Sequence, residues 1–167
     1  MIRRRLGALL ATLALGLAGG TVAAAPAQAA SFSCGARYFL KAAAVDRYLS
    51  VEPSDGFVYA DRTDRGWWEQ FQVCRDSSWS SQFFVLKSEA MSSKEGGAAY
   101  MERIAGSVQV SRHTLTGNDL FQWSGDGNPY RGLVHAETGK YVTAERPQMI
   151  TLGPANLGWY QALYRES

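Results

Sequence analysis

The chain has 167 residues, with 17 lysines and arginines against 15 aspartates and glutamates, for a formal net charge of +2. Three of the basic residues, Arg3, Arg4 and Arg5, stand at the very start, and residues 1–30 hold no acidic residue. The remainder therefore carries 14 basic against 15 acidic groups, a net charge of −1. No Lys/Arg run is left to supply the electrostatic footprint of a nucleic-acid or anionic-membrane binder, so nucleic acid is excluded as the expected partner.

Residues 1–30 read as a cleaved signal peptide. Arg3 to Arg5 form a positive start, Leu6 to Leu17 an apolar stretch, and Ala27-Gln28-Ala29 a small-x-small cleavage signal. The apolar run is too short and too glycine-rich for a membrane span. The expected product is a secreted protein with no membrane partner once the leader is removed. The export route stays open between the general secretory and the twin-arginine pathways. Residues 31–167 have the length of one domain and enough chain to bury a core. Cys34 and Cys74 are the only cysteines, and an even count in an exported protein favours one disulfide. Two cysteines without paired histidines make no zinc site, and no cofactor is expected.

Short strand-like runs then follow in three copies, approximately 36–74, 82–124 and 131–164. Each opens on an apolar strand: Tyr38-Phe39-Leu40-Lys41-Ala42, Phe84-Val85-Leu86-Lys87-Ser88 and Gly132-Leu133-Val134-His135-Ala136. The period runs from Lys41 to Lys87 to His135, the range of arrays and pseudo-symmetric barrels. In the first copy, Arg47 to Glu52 and Phe57 to Asp61 flank Pro53-Ser54-Asp55-Gly56, a hairpin signal. A third run enters through Gly66-Trp67-Trp68. The last copy repeats this as Lys140 to Glu145, Met149 to Leu152 and Gly158-Trp159-Tyr160. The middle copy is looser, with Asp119 in the place of the first tryptophan and an insertion, Ser88 to Gly97, expected as a polar surface loop. Gly125-Asp126-Gly127-Asn128 reads as a tight turn that only faintly resembles a calcium loop. No apolar period of helical type persists, so the class is all-β.

Tyr48-Leu49-Ser50-Val51-Glu52, Val58-Tyr59-Ala60-Asp61-Arg62, Trp68-Glu69-Gln70-Phe71 and Lys140-Tyr141-Val142-Thr143-Ala144-Glu145 resemble the repeat of the fascin-like (actin-crosslinking-type) family over about residues 36–164. The resemblance implies a β-trefoil of twelve strands, six closing a barrel and six capping it, and with the strand edges closed a monomer is expected. It also implies inward pairs three residues apart: Trp68 with Phe71, Leu120 with Trp123, and Tyr160 with Leu163.

No catalytic constellation is legible, so a non-enzyme is expected: there is no nucleophile elbow, phosphate loop or zinc-binding helix. His113 is expected as a solvated turn residue and His135 as a surface residue, neither with a local acid to orient it. The recurrence of Glu52 and Glu145 follows from symmetry alone. If Trp68 and Tyr160 point inward, strand alternation turns Trp67 and Trp159 outward. Each either covers a neighbouring hairpin or offers a platform to a sugar ring, with Asp61, Asp64, Arg65 and Asn156 as hydrogen-bonding neighbours. The leading function is a non-catalytic carbohydrate-binding module whose partner is a glycan or polysaccharide. The alternatives are a protein-binding module of fascin type and a secreted inhibitor or effector.

Overall fold

The structure is a computed structural model that describes residues 32–125 and 130–167. The expected signal peptide and the turn at Asp126-Gly127-Asn128 lie outside the described residues. The first repeat comprises β1 (Phe32–Ala42), β2 (Arg47–Val51), β3 (Val58–Arg62) and β4 (Gln70–Asp76). The second comprises β5 (Val85–Ser88), β6 (Ala99–Ile104), β7 (Ser107–Ser111) and β8 (Phe121–Ser124). The third comprises β9 (Arg131–His135), β10 (Val142–Thr143), β11 (Thr151–Leu152) and β12 (Ala162–Glu166).

All pairings are antiparallel. β1 lies between β4 and β12; β4 continues to β5, and β12 to β9 and then β8. The circuit closes at Phe84 and Phe121, whose backbones exchange N–H···O bonds of 3.0 and 2.8 Å. Six strands thus form a barrel with no open edge, the arrangement that removes the pairing hazard of an exposed strand. The other six form hairpins β2–β3, β6–β7 and β10–β11 that cap one end. They meet through bridges from Phe57 to Gln109 and from Tyr59 to Met149, and through the pairing of Thr151 with Ser107. This is a β-trefoil.

Alternation along the strands explains the core. Leu40, Phe71, Leu86, Phe121, Leu133 and Leu163 point into the barrel, while Leu49, Val51, Val58, Met101, Val110 and Ile150 fill the hairpin end. Each such side chain contributes roughly 1.5–3 kcal/mol on burial. The first hairpin turns at Gly56 with φ of +76°, where a side chain would lie 2.6 Å from the Val110 carbonyl. That close approach lets Val110 N–H donate to Gly56 O at 2.7 Å, tying the first hairpin to the second. Cys34 and Cys74 face each other across β1 and β4 and form the expected disulfide.

Two expectations fail for local reasons. The Ser88 to Gly97 insertion is a short helix, α1 (Glu89–Lys94), rather than a plain loop. Ser88 Oγ accepts the Met91 N–H at 3.3 Å as its N-cap, and Ala90 and Met91 are buried beneath it. His135 is fully buried rather than on the surface. Lys41 and Lys87 pair with Tyr48 and Tyr100, but in the third repeat it is Val134 that bridges to Tyr141. His135 is therefore one residue out of step with the lysines, and a one-residue slip carries a side chain to the other face of a strand. It occupies the inward place of Ala42 and Ser88.

Candidate functional site

Each barrel strand that closes a repeat is entered through a turn with three residues per revolution. Trp159–Gln161 and Gly117–Asp119 are 3₁₀ turns, and Trp67-Trp68-Glu69 is their counterpart ahead of β4. In such a turn the third residue, not the second, comes inward. Glu69, Asp119 and Gln161 are the buried residues, each two positions before a core residue: Phe71, Phe121 and Leu163. The three polar groups are buried because they cap the chain. Gln161 Oε1 accepts the Gly158 N–H at 3.0 Å, and its Nε2 donates to Thr143 Oγ1 at 3.2 Å. The Glu69 carboxylate accepts the N–H groups of Gly66 and of Glu69 itself. Asp119 Oδ2 accepts the N–H and hydroxyl of Thr116. A side chain at Gly66 or Gly158 would fall 2.6 or 2.9 Å from the folded-back oxygen, which accounts for glycine at both places.

This register corrects three expectations. Tyr160 is 50% exposed and does not point inward. Trp68 is only partly buried against the core. In the second repeat the inward residue is Phe121, and the slot of Trp67 and Trp159 holds Gly117 rather than Asp119. Leu120 belongs to a small satellite cluster with Val85 and Tyr100, and Trp123 leans on Phe84 with ring centroids 5.3 Å apart.

Trp67 and Trp159 are 47% and 54% exposed, as alternation had implied, although the cause is the turn. Around Trp67 the residues 61–69 line a concave site of about 490 Å³, which brings Asp61, Asp64 and Arg65 together with it. Asp61 Oδ1 accepts from Ser50 Oγ at 2.7 Å and lies 3.6 Å from Arg62 Nε. Arg65 stands over the Phe39 ring at 5.4 Å, with Nη1 3.7 Å from Glu166 Oε2. Glu69 closes the floor, and burial pushes its carboxyl above the ordinary range. Trp159 has a different setting. Its ring meets Tyr130 edge-on at 5.4 Å, Leu157 and Tyr160 are exposed beside it, and Asn156 is exposed three residues upstream.

A second polar cluster escaped the sequence reading. His113 is only partly exposed, with Nε2 2.5 Å from Asp119 Oδ1 and Nδ1 3.5 Å from Glu102 Oε1. Its acids come from β6 and from the second-repeat turn, so no local motif reveals them. His113 Nδ1 lies 3.1 Å from both the carbonyl and the hydroxyl of Ser111, and that hydroxyl donates to Glu102 Oε1 at 2.5 Å. Glu102, His113 and Asp119 offer donor atoms within 4.8 Å of one another, yet the two carboxylates face opposite nitrogens of one ring. Only the Asp119 side is a hydrogen bond; Glu102 makes the longer contact of 3.5 Å.

No protein-family model matches the chain, and no curated protein matches it. Among solved structures it is similar to a designed threefold-symmetric protein, ThreeFoil, with a TM-score of 0.62 over 78% of this chain and 98% of that one, at 15% identity. At that identity the likeness carries the fold, and function rests on the site.

Proposed function

We propose that this protein is a secreted, non-catalytic carbohydrate-binding module that stacks sugar rings on Trp67 and Trp159. The observation that carries the reading is Trp67, nearly half exposed at a concave site beside Asp61, Asp64 and Arg65. A flat indole takes the C–H face of a ring, while neighbouring carboxylates and a guanidinium fix its hydroxyls. The core does not need this tryptophan, since Phe71 fills the barrel below it. The β-trefoil is compatible with a binding module, and the disulfide suits an extracellular one. The second repeat, with Gly117 in the slot, contributes no stacking surface.

Pull-down on insoluble cellulose, xylan and chitin tests the reading with wild type, Trp67→Ala, Trp159→Ala and the double variant, each shown to be folded by its melting curve. Stepwise loss of retention is the expected result. A folded double variant retained like wild type removes it and leaves a protein-binding module of fascin type.

A further inference from the structure

The turns carrying the two tryptophans do not lie on opposite sides of the barrel. β4 and β12 both pair with β1, so the turns carrying Trp67 and Trp159 open onto strands two spacings apart, roughly 10 Å. The equivalent core residues of the two strands meet β1 at Tyr38 (from Phe71) and Ala42 (from Leu163), four residues or roughly 13 Å along the strand. The diagonal between them is about 16 Å, the length of a short oligosaccharide rather than of one ring.

Between them lies a ledge of successive ring and cation–ring contacts, with Tyr48 buried within it. Trp159 meets Tyr130, and Tyr130 meets the ring of Tyr164 at 4.7 Å. Tyr164 lies opposite Lys41, whose ammonium sits 5.5 Å over the Tyr48 ring. Tyr48 meets Phe39 edge-on at 6.2 Å, and Phe39 lies under Arg65, two residues from Trp67. Phe39 and Lys41 alternate with buried Leu40 and Ala42, which places both on the outer face of β1. Charge on the ledge is already matched: Lys41 pairs with Asp46 at 2.6 Å, and Glu166 accepts from the Tyr48 hydroxyl at 2.9 Å beside Arg65. Both named cations of the ledge, Lys41 and Arg65, thus stand against carboxylates, which does not favour an acidic chain.

From this we infer that the face is one extended site for an unbranched, uncharged polysaccharide segment lying from Trp159 across β12 and β1 to Trp67. The inference rests on the carbohydrate reading and narrows it to a ligand class. Rings bound at the two tryptophans belong to one chain, so the second contact is intramolecular and affinity grows with chain length.

Titration with cello-, xylo- and chito-oligosaccharides, disaccharide through hexasaccharide, tests this. The series that matches the retained polysaccharide should bind at least roughly tenfold more tightly at the hexasaccharide than at the disaccharide. Tyr164→Ala and Lys41→Ala should each shrink the ratio of hexasaccharide to disaccharide affinity toward one. Arg165→Ala, on the opposite face over Tyr38, should change neither. The wild-type length series stands even if a ledge variant fails to fold. Equal affinity for disaccharide and hexasaccharide, with Trp67→Ala still abolishing binding, overturns the single-face inference and leaves the carbohydrate reading intact. If neither tryptophan matters, both fall.

Discussion

Asp119 holds His113 through one oxygen and the Thr116 cap through the other, so a single buried carboxylate fastens the end of β7 to the turn that enters β8. Removing it strands the part-buried Thr116 N–H and an imidazole at once. Asp119→Ala should cost about 3 kcal/mol, combining a lost cap with a lost charged hydrogen bond. Asp119→Asn keeps the cap acceptor and should lose roughly half as much. Urea unfolding of both variants measures the difference. A stability for Asp119→Ala within about 0.5 kcal/mol of wild type would show that the cluster is incidental.

Much of this fold was written in short-range patterns, and the failures share one cause. Hairpin turns such as Pro53-Ser54-Asp55-Gly56 and the aromatic and β-branched run of Arg47 to Val51 beside it locate strands without any knowledge of what they pair with. The disulfide followed from parity. What alternation could not see was the 3₁₀ turn, where period three replaces period two; the burial of Glu69 and Gln161 and the exposure of Tyr160 follow from that one change. His135 was misplaced because a lysine-like residue was aligned with Lys41 and Lys87, when the tyrosines Tyr48, Tyr100 and Tyr141 mark the true register. The aromatic ledge was illegible because its members come from three strands and a loop that only the closed barrel brings together.

The turn register separates core from rim. Phe71→Ala and Phe121→Ala should each lose about 3–5 kcal/mol, since both are fully buried. Trp68→Ala should lose less, because Trp68 only leans on the core, and Trp67→Ala least of all. Thermal melts order the four variants. Trp67→Ala as damaging as Phe71→Ala would mean that the indole is a lid on the core, and the stacking platform would go with it.

Burial raises the Glu69 carboxyl above its ordinary 4.5, so the folded chain holds a proton that the unfolded chain has released. Folding then loses stability as pH rises from 4.5 through the raised value, and the deficit stays in full above it. Gln161 shows that a neutral amide suits the equivalent place in the third repeat. Glu69→Gln should therefore be no less stable than wild type at neutral pH, and its advantage should shrink toward acid. Melting temperatures of the two proteins between about pH 4 and pH 8 supply the comparison. A Glu69→Gln protein that melts lower at neutral pH and matches wild type in acid would reverse the sign.

His135 gives the opposite slope. Burial, aided by the nearby Arg103, lowers its pKa below the ordinary 6.5. Its hydrogen bonds also define the tautomer, since Nδ1 accepts the Thr138 N–H at 3.3 Å and Nε2 therefore donates to the Asn118 carbonyl at 3.2 Å. The ring is held neutral in the folded chain. As pH falls below 6.5, the unfolded chain takes up a proton that the folded chain refuses, so the stability present above 6.5 is progressively lost until the lowered pKa is passed. The slope is at most about 1.4 kcal/mol per pH unit for one group. Replacing the ring by Gln keeps a donor for Asn118 and removes the titration, so His135→Gln should be weaker than wild type at neutral pH but flatter below 6.5. Urea unfolding across that window, with the Glu69→Gln change built into both proteins to remove the competing carboxyl, isolates the slope. Nitrogen NMR of the imidazole gives the independent reading: Nδ1 should stay unprotonated as the solution passes below pH 6.5. A His135 that protonates at or above 6.5 in the folded protein would overturn the buried, neutral assignment.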